Sequence, residues 1–130
     1  MRSVDERIKI AVAVVRHDGR FLIGPRGEGV PLAGLWEFPG GKVMPDETPE
    51  RAAERECREE TGLIVYVTGV YAVELHDYDH GRLELHFFAC DLRGPKVRPN
   101  KPFRWVRRDE LDRYQFPQAN ACLIHRLTEG

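Results

Sequence analysis

Apolar residues recur at every second position from Ile8 through Ile10 and Val12 to Val14, the period of a half-buried strand. The run turns at His17-Asp18-Gly19 and resumes as Phe21-Leu22-Ile23, and an Asp-Gly turn between two apolar runs predicts a hairpin. Over residues 24–34 the pattern dissolves into Pro25, Gly27, Gly29 and Pro31, which predicts a loop. Trp36-Glu37-Phe38 then predicts a short strand, followed by a turn at Pro39-Gly40-Gly41.

The period changes at Thr48-Pro49-Glu50, a helix start in three residues. Threonine caps, proline fits the first helical position, and glutamate suits the positive end of the dipole. The helix is expected to run to about Thr61, with Gly62 as its left-handed stop. Residues 63–68, 70–75 and 83–90 are rich in β-formers, with His80-Gly81 in the turn between the last two. Phe103-Arg104-Trp105-Val106 predicts a further short strand. Ala119, Leu123 and Leu127 at four-residue spacing predict a closing helix over 119–127. Strands, helix, strands and helix in that order, without internal repeat, predict an α/β fold: a mixed sheet with helices packed on it.

Composition narrows the class. The 130 residues carry 20 Lys and Arg against 21 Asp and Glu, a net charge of -1 with histidine neutral. No shift in composition marks a linker, so residues 1–130 are expected to form one domain, large enough for a core without a disulfide staple. The balanced charge speaks against a partner that is nucleic acid or a membrane surface. Cys57, Cys90 and Cys122 are odd in number, widely spaced and without a CxxC pair, so they are expected to be reduced, small apolar residues. His76, His80 and His86 have no cysteine partner or fixed ligand spacing and read as strand polar residues, not zinc ligands. The N-terminus is charged from the outset. It offers neither the apolar core of a signal peptide nor the ~20 apolar residues of a spanning helix, so the cytoplasm is expected; the expected assembly is a monomer or homodimer.

The helix carries the chemistry. Glu56, Glu59 and Glu60 stand at i, i+3 and i+4, so three carboxylates share one face. The ordinary reading is a solvated acidic face. Two features oppose it: Glu56 and Glu60 are like charges at i, i+4, which costs a few tenths of a kcal/mol, and the apolar face holds only Ala52, Ala53 and Cys57. Magnesium or manganese (Mg2+ or Mn2+) would account for the cluster, because hard cations take carboxylate oxygens. A polyphosphate has the same sign of charge and can approach only with metal between, so one cluster implies both cofactor and substrate class. Arg55, beside Glu56 and one turn before Glu59, is either a surface ion pair or an arginine that fixes carboxylate orientation.

These spacings resemble the Nudix box. Gly41 is followed by five residues and Glu47, then by seven residues and Arg55-Glu56, and Cys57, Arg58, Glu59-Glu60, Thr61, Gly62 and Leu63 complete it over residues 41–63. The lead-in Trp36-Glu37-Phe38-Pro39-Gly40-Gly41-Lys42 and the late Phe116-Pro117-Gln118-Ala119-Asn120 look like those of MutT-like members. The resemblance implies a Nudix-type α/β/α sandwich with the box as loop, helix and loop. It implies that Glu56, Glu59 and Glu60, with the carbonyl of Gly40, bind metal, and that Arg55 joins them in catalysis. It implies attack of water on a nucleoside triphosphate, giving monophosphate and pyrophosphate, with purine and oxidised guanine nucleotides as the MutT-like substrates. Gly40-Gly41 allows the close backbone approach this chemistry needs. Gly-Gly-Lys is not a Walker loop, since Val43 follows Lys42.

One departure concerns the metal. MutT-like enzymes often carry a further Glu before the Trp of the later strand, where this chain has Arg104. The site is then completed by another acid such as Glu74 or Glu84, or works with the box alone, or Arg104 contacts a phosphate. On the substrate side, Gly41 and Lys42 are expected to face the phosphates. Arg26 aligns with an arginine that meets the nucleotide, and is otherwise a plain loop residue. Asn120 matches the purine-reading position, and is otherwise a helix N-terminal residue that satisfies free N–H groups. Tyr78 stands near where dinucleoside polyphosphate hydrolases place a tyrosine, which keeps those substrates, and pyrimidine triphosphates, as alternatives. A non-catalytic nucleotide-sensing Nudix module is the alternative of another class. Such modules typically lose box acids that this chain keeps.

Overall fold

The computed structural model describes residues 7–27, 33–78 and 81–129, apart from the side chain of Tyr78. Its strands are β1 (Ile8–His17), β2 (Arg20–Pro25), β3 (Trp36–Glu37), β4 (Gly40–Lys42), β5 (Val65–Tyr78), β6 (Gly81–Leu92) and β7 (Arg104–Arg107). Its helices are α1 (Pro49–Thr61), α2 (Ala121–Glu129) and two short 3-10 turns, Arg108–Arg113 and Gln118–Asn120. Gly29, Pro31 and His80, expected in loops or turns, lie outside the described residues.

The strands form one mixed sheet with β1 near its centre. β1 is antiparallel to β2 and β4 and parallel to β6, and β5 lies beyond β6. The two-residue period of β1 sorts its side chains. Ala11, Ala13 and Val15 face α1 with Phe88 and Cys90 of β6, whereas Val12 and Val14 face α2 with Leu85 and Phe87. Each face of the sheet thus has its own core and its own helix, the expected α/β/α sandwich. The hairpin turn holds Asp18 at φ 53 and Gly19 at φ 73, two consecutive left-handed residues, as the twist of a tight β1–β2 connection requires.

Four expectations are corrected. Residues 63–68 and 70–75 are not two strands. From Val65 onward they belong to the single strand β5, which has register shifts at Val67/Gly69 and Val70/Ala72. The bulges break the alternation, so a continuous strand looks interrupted at Gly69. Gly40 and Gly41 are extended in β4, opposite Val12 and Ala11, rather than in a turn. The closing helix begins at Ala121, after the 3-10 turn, and Cys122 on it is exposed while Cys57 and Cys90 are buried. Among the described residues no helix is long and apolar enough to cross a membrane.

Candidate active site

The sequence fixes both ends of α1. Thr48 Oγ1 accepts from the Arg51 N–H at 3.2 Å, Pro49 opens the helix, and Gly62 at φ 78 donates its N–H to the Arg58 carbonyl. The residues it buries are small: Ala52, Ala53, Cys57 and Thr61. A helix with so slight an apolar face lies close to the sheet, and its acidic face meets β4 at Gly40 and Gly41.

Arg55 organises that face. Its Nε and Nη2 hold both oxygens of Glu47 at 3.0 and 2.7 Å, a bidentate grip that ties the loop before the helix to the helix itself. Its Nη1 donates to Glu56 at 2.7 Å and to both oxygens of Glu59 at 3.2 Å, and Nη2 reaches the Lys42 carbonyl at 3.1 Å. One guanidinium therefore spans three carboxylates and the backbone of β4, which an isolated surface pair does not do. Arg55 hydrogen bonds, with help from the Met44 N–H, bring the Glu47 carboxyl down to about 2, and Arg55 itself is held firmly protonated.

Glu60 points the other way. Its Oε1 accepts from the Gly40 N–H at 3.3 Å. Burial, joined by the charges of Glu37 and Glu56, pushes its carboxyl up to about 8 against that hydrogen bond. Glu56 packs on Gly41 so closely that a Cβ there would stand 2.5 Å from Oε2. Glu37 comes to the same corner, held by Arg26 Nη1 at 3.0 Å, with its own carboxyl raised by burial. Sequence reasoning passed over Glu37; the available signal was an acid between Trp36 and Phe38, where a strand facing a core would carry none.

A divalent cation fits this donor set. Among the described residues no three acidic, histidine or cysteine side chains close around one point. Glu59 is half exposed and engaged by Arg55, while Glu56 and Glu60 are hydrogen-bonded neighbours. Two carboxylates with open space beside them suit magnesium, which takes one or two from protein and the rest from water and phosphate. Of the acids expected as candidates to complete the site, one has a partner of its own. Glu84 is paired with His86 at 2.6 Å, on β6. Arg104 lies over the Trp36 ring at 5.0 Å, a cation–π contact and not a metal position.

Beside the carboxylates lies a cavity of about 690 Å3, within the range of a small-molecule site. Its floor is apolar, from Ile8, Ile10 and Val12 of β1 and Leu83 and Leu85 of β6. Arg26, Gly40, Gly41, Lys42 and Asn120, singled out one by one in the sequence, all line it, with Glu37 and Phe38. Phe38 stacks on Phe116 with centroids 5.3 Å apart, which firms the wall before Pro117. Asn120 is buried. Its Nδ2 donates to the Pro117 carbonyl at 3.4 Å.

A sequence model described as the NUDIX domain matches residues 10–126. The chain belongs to the Nudix family. It is 37% identical over 123 residues to an 8-oxo-dGTP diphosphatase of Haemophilus influenzae, covering 92% of this chain and 90% of that protein. It is 31% identical over 119 residues to a CTP pyrophosphohydrolase of Escherichia coli, covering 90% and 88%. Its fold matches the solution structure of MutT, a Nudix hydrolase of Staphylococcus aureus, with a TM-score of 0.76 at 32% identity over 96% of this chain and 98% of that one. This Nudix chain is accordingly a MutT-like hydrolase of phosphoanhydride bonds.

Proposed function

We propose that this Nudix hydrolase cleaves a purine nucleoside or deoxynucleoside triphosphate to the monophosphate and pyrophosphate, with magnesium or manganese. Oxidised guanine nucleotides such as 8-oxo-dGTP lead the candidates. One observation carries the reading: a single cavity joins the buried amide of Asn120 to the Gly40–Lys42 strand, on whose other side stand Glu56 and Glu60. A base at the first end places its phosphate chain at the second. Glu56, Glu59 and Glu60, with the Gly40 carbonyl, would hold the metal, Glu59 after release from Arg55. The bound cation supplies charge neutralisation and a more acidic water. Glu56 takes the proton of the attacking water, Arg55 keeps Glu56 aimed, Lys42 and Arg26 meet phosphate, and Gly41 gives the chain room.

The 8-oxo-dGTP diphosphatase relative supports the guanine assignment, and the CTP pyrophosphohydrolase relative favours a second reading, a pyrimidine triphosphate. One domain in the cytoplasm remains part of the proposal; a family match running from residue 10 to residue 126 supports the first half of it. The deciding experiment is pyrophosphate release from 8-oxo-dGTP, dGTP, dATP and CTP with magnesium, repeated in excess EDTA. The expected result is the highest kcat/KM on the oxidised guanine nucleotide and no release in EDTA. A preference for CTP overturns the purine assignment, and release in EDTA overturns the metal.

A further inference from the structure

We infer that a second anion site, suited to condensed phosphate, lies on the outer side of α1. A groove of about 560 Å3 runs there between the helix, the loop before it and the start of β5. Arg51, Arg58 and Arg93 line it, and among the described residues none of their guanidiniums has a hydrogen-bond or ion-pair partner. Arg51 and Arg58 are two turns apart on one helix face, about 10 Å along the axis. Arg93 is drawn to the same groove because its N–H donates to the Ile64 carbonyl at 2.8 Å.

The acids of the groove are partly committed. Glu47 gives both oxygens to Arg55, and Glu54 turns one oxygen to the Val67 N–H at 3.1 Å, which leaves the charges of Asp46 and Glu54. Three unpartnered guanidiniums against two unpaired acidic charges leave the groove net positive, as an anion site requires. Their spacing exceeds what one phosphate bridges and suits a short chain of phosphates gripped by successive planar forks. The groove shares Arg55 and Glu47 with the catalytic face, so an anion in it competes with Glu56 for the Arg55 guanidinium. If the proposed reaction is right, its product pyrophosphate restrains the enzyme from outside the metal site. That link rests on the proposed function; the binding itself does not.

Calorimetry with pyrophosphate in EDTA and 0.15 M KCl tests the binding. The expected result is one site, weakened about tenfold or more in Arg58→Gln/Arg93→Gln and unchanged in Arg16→Gln, an exposed arginine on β1. Equal affinity in all three proteins, an equal loss in the Arg16 variant, or displacement of pyrophosphate by a nucleoside monophosphate overturns the site. Kinetics then test the link: inhibition by pyrophosphate should be noncompetitive with nucleotide and lost in the double variant, whose uninhibited turnover is unchanged. Competitive inhibition that survives the double substitution overturns it. Binding without any hydrolysis of triphosphates would instead leave the site standing and remove the proposed reaction.

Discussion

The two ends of the site are built in opposite ways. At the carboxylate end, residues from Glu47 to Glu60 are gathered by one guanidinium, and charge meets charge over a few ångströms. At the other end, side chains from β1, β6 and the segment before α2 meet only once the sheet is assembled, and the surface they make is apolar around one amide. The first arrangement is electrostatic and local, the second is packing and non-local. The carboxylate end should therefore fail in chemistry when altered, and the cavity end in recognition.

The largest effect is expected at Glu56. Glu56→Gln keeps size and removes charge, so turnover should fall about a hundredfold or more while the melting temperature holds, because the residue contributes no core packing. A folded variant with wild-type turnover would move the water-activating role to another acid. The adjacent glycines sharpen the contrast. At Gly41 a Cβ meets the flexible tip of Glu56, so Gly41→Ala should displace that carboxylate and lower kcat by roughly 10- to 100-fold with little loss of stability. At Gly40 a Cβ would stand 2.6 Å from the Ala11 carbonyl, backbone that cannot step aside. Gly40→Ala should destabilise by about 1–3 kcal/mol, read as a lower denaturation midpoint. Identical stability losses in the two variants would erase the distinction between a glycine that serves the sheet and one that serves the acid.

This division also decides what could be read from the sequence. The helix, its caps and its shared acidic face follow from spacing alone, because they lie within residues 48–62 and helical geometry is periodic. The β1–β2 turn is equally local, fixed by Asp18-Gly19. The bulges of β5 were hidden, since a bulge shifts the register against a partner strand and leaves no mark on the strand's own composition. The extended state of Gly40-Gly41 was hidden for a similar reason: pairing with β1 overrides the turn preference of Pro-Gly-Gly. Glu37 joins the site through Arg26, just past the end of β2, and through its charge on Glu60, neither of which spacing announces. Arg26, Lys42 and Asn120 were found by likeness to MutT-like relatives, not by their own chemistry.

The smallest effect, and the sharpest test of the cavity end, concerns Asn120. Its amide is buried at the end of the 3-10 turn that leads into α2. One N–H is spent on the Pro117 carbonyl at a long 3.4 Å, leaving the carbonyl oxygen and the second N–H for a ligand. An acceptor and a donor from one planar group match the edge of a purine, and a paired contact of that kind is worth about 1–3 kcal/mol of discrimination. Asn120→Ala should therefore raise KM for the preferred purine about tenfold, or ~1.4 kcal/mol, with kcat nearly intact. The lost bond to Pro117 should cost only about 0.5–1.5 kcal/mol of stability. Kinetics on paired purine and pyrimidine triphosphates separate the roles. A purine-specific rise in KM marks a base reader, because only the base differs between the substrates. An equal loss on every base marks a residue that merely shapes the wall, and the base would then have to be read from elsewhere in the cavity.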